Sequence, residues 1–433
     1  MKYPLHRKLK NTKYDWMRCI PDDWEVMNLN HAVRMKSGEN ITSLEISPDG
    51  EYPVYGGNGI RGYFDAYTHD GEFVLIGRQG ALCGNIKLAS GKFWASEHAV
   101  VVTPDRKLDI SWLSYLLTTM DLNQYSVSAA QPGLSVESIG KLKIPFPEKN
   151  EQEKIARFLD YKTQQIDQLI KKKKALIEKL NEQRISVITQ AVTKGLDKNA
   201  KMKPSGKEWL GNVPAHWEIK KFRYLFIFGR GLGITKSDLT DEGVPCISYG
   251  EIHSKYGFEV IPEQHELKCV SETYLETGKD SLLSEGDFVF ADTSEDVEGS
   301  GNFSYLNSKT PIFAGYHTVI ARLKTDDDPR YLAYLFDSLP YRFQIRRNVS
   351  GVKVFSITQD ILKSCYVWLP PKSEQKKISD FLSKAICRIN RMADAACKAI
   401  VFLEEYRSAI ITDAVTGKID VRDIKIPAAE DAA

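Results

Sequence analysis

Four stretches carry residue types and spacings that could do chemistry. Gly57-x-Gly59-x-x-Gly62 matches the glycine pattern that lets backbone approach a dinucleotide pyrophosphate, and it follows a short extended run at Tyr52 to Tyr55. The helix that must open there is missing, because Tyr63-Phe64-Asp65-Ala66-Tyr67 leads into the turn sequence His69-Asp70-Gly71. The motif therefore reads as a glycine-rich turn. Glu218-x-Lys220 offers half of a nuclease carboxylate-lysine set, but its counterpart in the repeat described below is Glu25-x-Met27, so the pairing reads as chance. A base methyltransferase needs an Asn/Asp-Pro-Pro-aromatic loop to hold the amino group. The one Pro-Pro here, Leu369-Pro370-Pro371-Lys372, has no acid or amide before it and no aromatic after. No G-x-x-x-x-G-K-S/T occurs and no two histidines stand at metal-ligand spacing, so neither catalysis nor a metal site is expected.

The fourth group suggests recognition. Arg78 and Gln79 follow the apolar run Phe73 to Ile76, and Gln131 sits in Gln131-Pro132-Gly133. Their counterparts later in the chain are Asp292, Thr293 and Ser294 within Ala291 to Gly301, and Arg346, Arg347 and Asn348 continuing through Gly351 and Val352 to Lys353. Arg, Gln and Asn have the bidentate geometries that read guanine and adenine edges, while Lys and Thr suit phosphates. The plainer reading is a set of polar surface loops, since loops are polar in any case. Lys171 to Lys174 are similarly either a solvated face or a phosphate-tracking strip.

What positions these loops is an internal repeat. Trp16, Pro21, Trp24 and Glu25 return 193 residues later as Trp209, Pro214, Trp217 and Glu218, and from Pro147 onward the offset is a constant 223. The second copy is thus longer by 30 residues, all within its globular part. Short alternating runs such as Phe73 to Ile76 and Ala99 to Val102, separated by turn signals, predict strands, and Ile110 to Met120 predicts a helix. Each half reads as a mixed α and β module followed by a long helix, an α+β class. The boundaries are a first module at 1–147, a helix at 148–194, a polar, solvent-exposed connector at 195–206, a second module at 207–371, a helix at 372–420 and a tail at 421–433. Pro145-Phe146-Pro147 and Leu369-Pro370-Pro371 fix where each helix can start.

The two helical segments share a heptad seam. In the first it runs through Ile155, Leu159, Ile166, Leu169, Leu176 and Leu180, and in the second through Ile378, Leu382, Ile389, Met392, Leu403 and Ile410. Roughly 40 residues free of Pro make each a rod of about 60 Å. Two matched rods most simply bury their seams on each other. Side-chain volume favours antiparallel pairing with partner numbers adding to 565, which sets Ala399 against Ile166, Ala396 against Leu169 and Ala385 against Leu180. The modules would then be related by a pseudo-twofold axis.

Composition is that of an ordinary soluble protein: 27% charged, 42% hydrophobic and a net charge of +2, which neither demands nor excludes nucleic acid. Seven scattered cysteines without a C-x-x-C pair argue against a disulfide framework. Neither an apolar leader nor a bilayer-length apolar run is present, so cytoplasm is the expected location and no membrane partner is expected.

Taken together, these residues resemble the DNA-specificity subunits of type I restriction-modification systems. The resemblance rests on Lys203-Pro204-Ser205-Gly206, Glu208-Trp209-Leu210-Gly211 and Val213-Pro214-Ala215-His216-Trp217-Glu218, on Pro147 with Glu151-Gln152, and on Pro371 with Glu374-Gln375. The first module opens with an imperfect version, Ile20-Pro21-Asp22-Asp23-Trp24-Glu25. The resemblance implies two target recognition domains, each reading half of a bipartite site in double-stranded DNA, with the rods as a ruler. It also implies docking of two modification subunits and of restriction subunits. S-adenosylmethionine, ATP and Mg would belong to those partners, with no cofactor in this chain. A self-contained methyltransferase or nuclease, and a coiled-coil scaffold without DNA affinity, are the rival readings.

Overall fold

The computed structural model describes residues 3–6, 8–80, 82–104, 108–126, 133–351 and 353–427. The chain divides into two compact units, one made of residues 1–174 with 397–433 and the other of residues 175–396. Each therefore holds one module together with the near half of one long helix and the far half of the other.

In the first unit the central sheet is antiparallel, in the order Val33–Ser37, Ala99–Pro104, Phe73–Gly77, Ile86–Ala89. Val74, Ile76, Val100 and Val102 alternate onto one face, where Trp112, Leu113, Leu116 and Leu117 of the helix Ile110–Thr119 cover them. A second sheet, Gly59–Phe64, Tyr52–Gly56, Lys92–Ala95, His69–Asp70, contains the glycine motif as a hairpin. Gly62 has φ +151°, and a Cβ there would lie 2.5 Å from Ile46 Cγ2, so the motif serves strand geometry.

The second unit repeats the plan. Phe226–Arg230, Thr318–Leu323, Phe288–Ala291 and Phe303–Leu306 stand in the same order, and Phe258–Val260, from the extra residues, adds a parallel fifth strand. The core is filled differently. Where the first module uses Val, Ile and Leu, the second gathers Phe222, Phe226, Phe288, Phe290, Phe303 and Tyr341 around Phe336.

The residues that recur between the halves are the joints between module and helix. Trp24 Nε1 donates to Glu151 at 3.0 Å, and Trp217 Nε1 donates to Glu374 at 3.2 Å. Lys10 and Lys203 donate from Nζ to the carbonyls of Trp24 and Trp217. Gln152 and Gln375, both buried, each accept one backbone N–H, from Asp109 at 2.9 Å and from Asp328 at 2.8 Å. Their amides donate back to the carbonyls of Pro147 and Pro370. Asp109 and Asp328 are themselves the N-caps of the module helices, so one glutamine ties the start of a rod to the start of a module helix. Gln375→Leu strands the Asp328 N–H and the Pro370 carbonyl in a buried place. It is expected to destabilise the second unit by about 2–4 kcal/mol, read from chemical denaturation with amide exchange of that unit. A change under about 0.5 kcal/mol would show that the clamp does not contribute.

The long helices span Lys149–Lys194 and Lys372–Val415, so the second stops five residues short of the expected 420. Thr416 and Gly417, the latter at φ +71°, end it. Pairing is antiparallel within each unit. In the first, Ile155, Leu159 and Ile166 share a core with Ile410, Ile411 and Ala414. In the second, Leu180, Ile188 and Val192 share one with Ile378, Leu382 and Ile389.

The seam itself needs correction. Leu169, Leu176 and Met392 are 46%, 36% and 45% exposed, and Leu403 is only half-buried. The inward line instead takes one extra step of four, after Leu159 to Thr163 and after Leu382 to Ile386, and then runs through Ile166 and Ile170 and through Ile389 and Ala393. A 3.6-residue helix drifts against a strict 3.5 repeat, and a four-residue step absorbs the drift. The register differs too. Arg407 pairs with Asp167 at 3.0 Å, numbers adding to 574 rather than 565, a shift of about two and a half turns. Matching volumes failed because the strict alternation carried the wrong phase: Ala396 is buried, but Ala385 and Ala399 are only half-buried.

Two segments are more ordered than their polarity suggests. Within the expected connector, Met202–Pro204 pairs antiparallel with Asn212–Pro214, so its end is a strand and not a loose tether. A three-residue edge strand leaves no periodicity to read. After the second helix, Ile419 bridges to Leu5, and Val421 and Ile424 pack on the first unit's core.

Candidate nucleic-acid interface

In each module the loop of interest leaves the end of the central strand, held by the same backbone bonds. In the first, Gly77 N–H donates to Asn85 O at 2.8 Å, Arg78 N–H donates to His98 O at 2.8 Å, and Leu134 N–H donates to Arg78 O at 2.9 Å. In the second, Ala291 N–H donates to Asn302 O at 3.0 Å, Asp292 N–H to His317 O at 3.0 Å, and Ile357 N–H to Asp292 O at 2.7 Å. Arg78 and Asp292 therefore occupy one position of a shared scaffold, as do Gln79 and Thr293. Gly77 has no room for a side chain, since a Cβ would lie 2.0 Å from Gly57 O, and that close approach fixes where Arg78 emerges.

Arg78 is half-buried and reaches Ser37 Oγ from Nη1 at 3.2 Å, while Gln79 is exposed and bridges to Gly133. Together with Ser135 and Glu137 they line a shallow concavity of about 470 Å³. Gln131 lies outside the described residues.

The second module has a larger hollow, about 800 Å³, at the matching loop, lined by Thr293, Ser294, Asp296, Glu298, Tyr249 and His317 among others. Thr293 is half-buried in a two-residue ladder with Ser356. Ser294, expected as a reader, is instead 5% exposed, and its hydroxyl accepts the Asp296 N–H at 3.4 Å. It braces the loop from inside. Arg346 is likewise committed: Nη2 donates to Glu298 O, and burial, then the neighbouring Arg342, draw its guanidinium below the usual pKa. Arg347, Asn348 and Lys353 are exposed, with the Asn348 amide donating to Gln344 O at 2.7 Å.

Sequence reasoning missed the polar chain behind this hollow. Arg184 on the first long helix donates to Asp337 at 2.8 Å, and Asp337 also takes Arg342 Nη2 at 3.0 Å. Arg342 Nη1 donates to Asn302 at 2.7 Å, Asn302 to His253 Nδ1 at 2.9 Å, and His253 Nε2 meets Thr293 O at 2.8 Å. The helix and this loop of the second unit are thus joined by hydrogen bonds throughout. His253 comes from the extra residues of the second copy, where no repeat partner marks it. Arg184 stands one residue past a seam position, where the corrected phase turns it toward the module.

A family model described as the type I restriction modification DNA specificity domain matches residues 21–179 and again 214–393. The chain belongs to this family. Each match runs from a module into its long helix, so each copy of the repeat is one specificity domain. The relatives that match are named as specificity subunits. The EcoprrI type I specificity subunit of Escherichia coli is 46% identical over 136 residues, 30% of this chain and 34% of that protein, so the aligned part spans about a third of that relative. The MjaVIII specificity subunit of Methanocaldococcus jannaschii is 22% identical over 420 residues, covering 94% of this chain and 95% of the other. A solved chain described under complex assembly and conformational transition of the type I R-M system shares the fold, with TM-score 0.69 at 13% identity over 92% of this chain and 98% of that one. Among the described residues no helix is long and apolar enough to cross a membrane.

Proposed function

We propose that this chain is the DNA-reading subunit of a type I restriction-modification complex. The first module reads one half of an asymmetric, bipartite duplex site and the second module reads the other. The paired long helices set the unread gap, and two modification subunits that methylate adenine N6, together with restriction subunits, dock on the same chain in the cytoplasm. S-adenosylmethionine, ATP and Mg are held by those partners. The observation that supports this most is the duplication itself: one specificity domain written twice, with loops in matching places but of different chemistry. Similar scaffolds with unlike loops suit two unlike half-sites.

Selection from a randomised duplex pool by this chain assembled with modification subunits is the direct test. Two short sequence blocks at a constant separation are expected. A single continuous block, or no enrichment over random duplex, would contradict the proposal, the latter favouring a scaffold without DNA affinity.

A further inference from the structure

The exchange of Arg78 for Asp292 at one scaffold position reverses the charge that each module presents where its reading loop begins. Three equivalent backbone hydrogen bonds hold both residues at the ends of corresponding strands, so the reversal of charge lies in the side chains. Around Arg78 stand its guanidinium, whose Nη1 donates to Ser37 Oγ, the exposed amide of Gln79, and Glu137, which is paired with Lys141. Around Asp292 the chemistry is acceptor-rich. The Asp292 carboxylate, 35% exposed, lies 3.3 Å from His317 Nδ1, and Asp296 and Glu298 line the adjoining hollow.

In the major groove these two chemistries select opposite base edges. A guanidinium pairs bidentately with the O6 and N7 acceptors of guanine. A carboxylate cannot sit against guanine, and against adenine it meets acceptors on both sides of the N6 amino group, N7 and the paired thymine O4, whereas cytosine N4–H₂ has an acceptor, guanine O6, on one side only and a C5–H on the other. Phosphates repel it as well, so its place is at a base edge and not along the backbone.

Resting on the DNA-reading function proposed above, we infer that Arg78 and Asp292 are matched specificity-determining residues, Arg78 selecting a guanine in the first half-site and Asp292 a cytosine in the second.

Duplex selection with the assembled complex, carried out for the unaltered chain, Arg78→Ala, Asp292→Asn and Asp292→Arg, tests it. Arg78→Ala is expected to lower discrimination for guanine at one position of the first block by about tenfold while leaving the second block as it was. Asp292→Asn is expected to relax one cytosine of the second block only, and Asp292→Arg to replace that cytosine by guanine. The block read by the untouched module reports in every case that the protein is folded and docked. If both blocks keep their sequences and only overall affinity falls, the two side chains contact phosphate or nothing, and the inference is wrong. If a variant loses its own block altogether, the milder Asp292→Asn and an Arg78→Gln variant decide: an unchanged preference in those overturns it. Absence of a two-block motif from the unaltered chain is a separate result, and it removes the underlying function instead.

Discussion

Phe336→Ala is expected to cost the second module about 3–5 kcal/mol, the range for emptying a buried aromatic site. The Phe336 ring is fully buried, with the rings of Tyr341, Phe288, Phe222, Phe303, Phe290 and Phe226 centred 4.6, 5.0, 5.3, 5.7, 5.8 and 6.0 Å away. Neighbouring rings are rigid and cannot swing in to fill the hole, so little of the lost contact is recovered. The loss is large against the stability of an ordinary domain. A chain of two units does not melt as one, so amide exchange followed separately in each unit is the suitable measurement. Protection should collapse across Phe226–Arg230, Phe288–Ala291 and Thr318–Leu323 and persist across Phe73–Gly77 and Ala99–Pro104. A drop below about 1 kcal/mol would mean that this cluster relaxes freely.

Lengthening both long helices should change which DNA is recognised without changing what either module reads. Four residues added after Lys173 and four after Ala396, positions 223 apart and so equivalent in the repeat, extend each helix by about 6 Å. At about 3.4 Å per base pair, the unread gap is expected to grow by one to two base pairs. The added step also turns the seam by only about 40°, since four residues overshoot one turn of 3.6 slightly. The helices themselves already tolerate such a step after Leu159 and Leu382. Mapping methylated adenines in cells that carry the lengthened chain with its modification partner reads the gap. Unchanged half-sites with an unchanged gap would remove the ruler role from the helices.

Much of the architecture was legible because it is written twice. Trp24 with Trp217 and Glu151-Gln152 with Glu374-Gln375 recur in the sequence, and both sets prove to be hydrogen-bonded joints between module and helix. The antiparallel direction of the helices, expected from side-chain volumes, is the one found within each unit. Their register did not, because a seam that steps once by four cannot be traced by a strict alternation, and Leu169, Leu176 and Met392 were placed inward on that assumption. Loop residues were the least legible. Ser294 and Arg346 have the right chemistry for reading bases, but a hydroxyl turned inward and a guanidinium spent on Glu298 O become apparent only when the loop's own hydrogen bonds are seen. The sequence sets the Arg78 loop against the loop that holds Asp292, but the one-to-one match of the two residues was hidden for a related reason. Letter matching pairs similar residues, and the backbone bonds that equate these two carry no trace of side-chain type.

The proposal that this chain reads two unlike half-sites held a set distance apart is tested most directly by mapping N6-methylated adenines in cells expressing the unaltered chain with its modification partner. The expected map is one recurring asymmetric motif of two specific blocks, separated by a constant number of unspecified bases, with a modified adenine in each block. Methylation confined to a single uninterrupted sequence, spread over blocks at variable separation, or absent would contradict it.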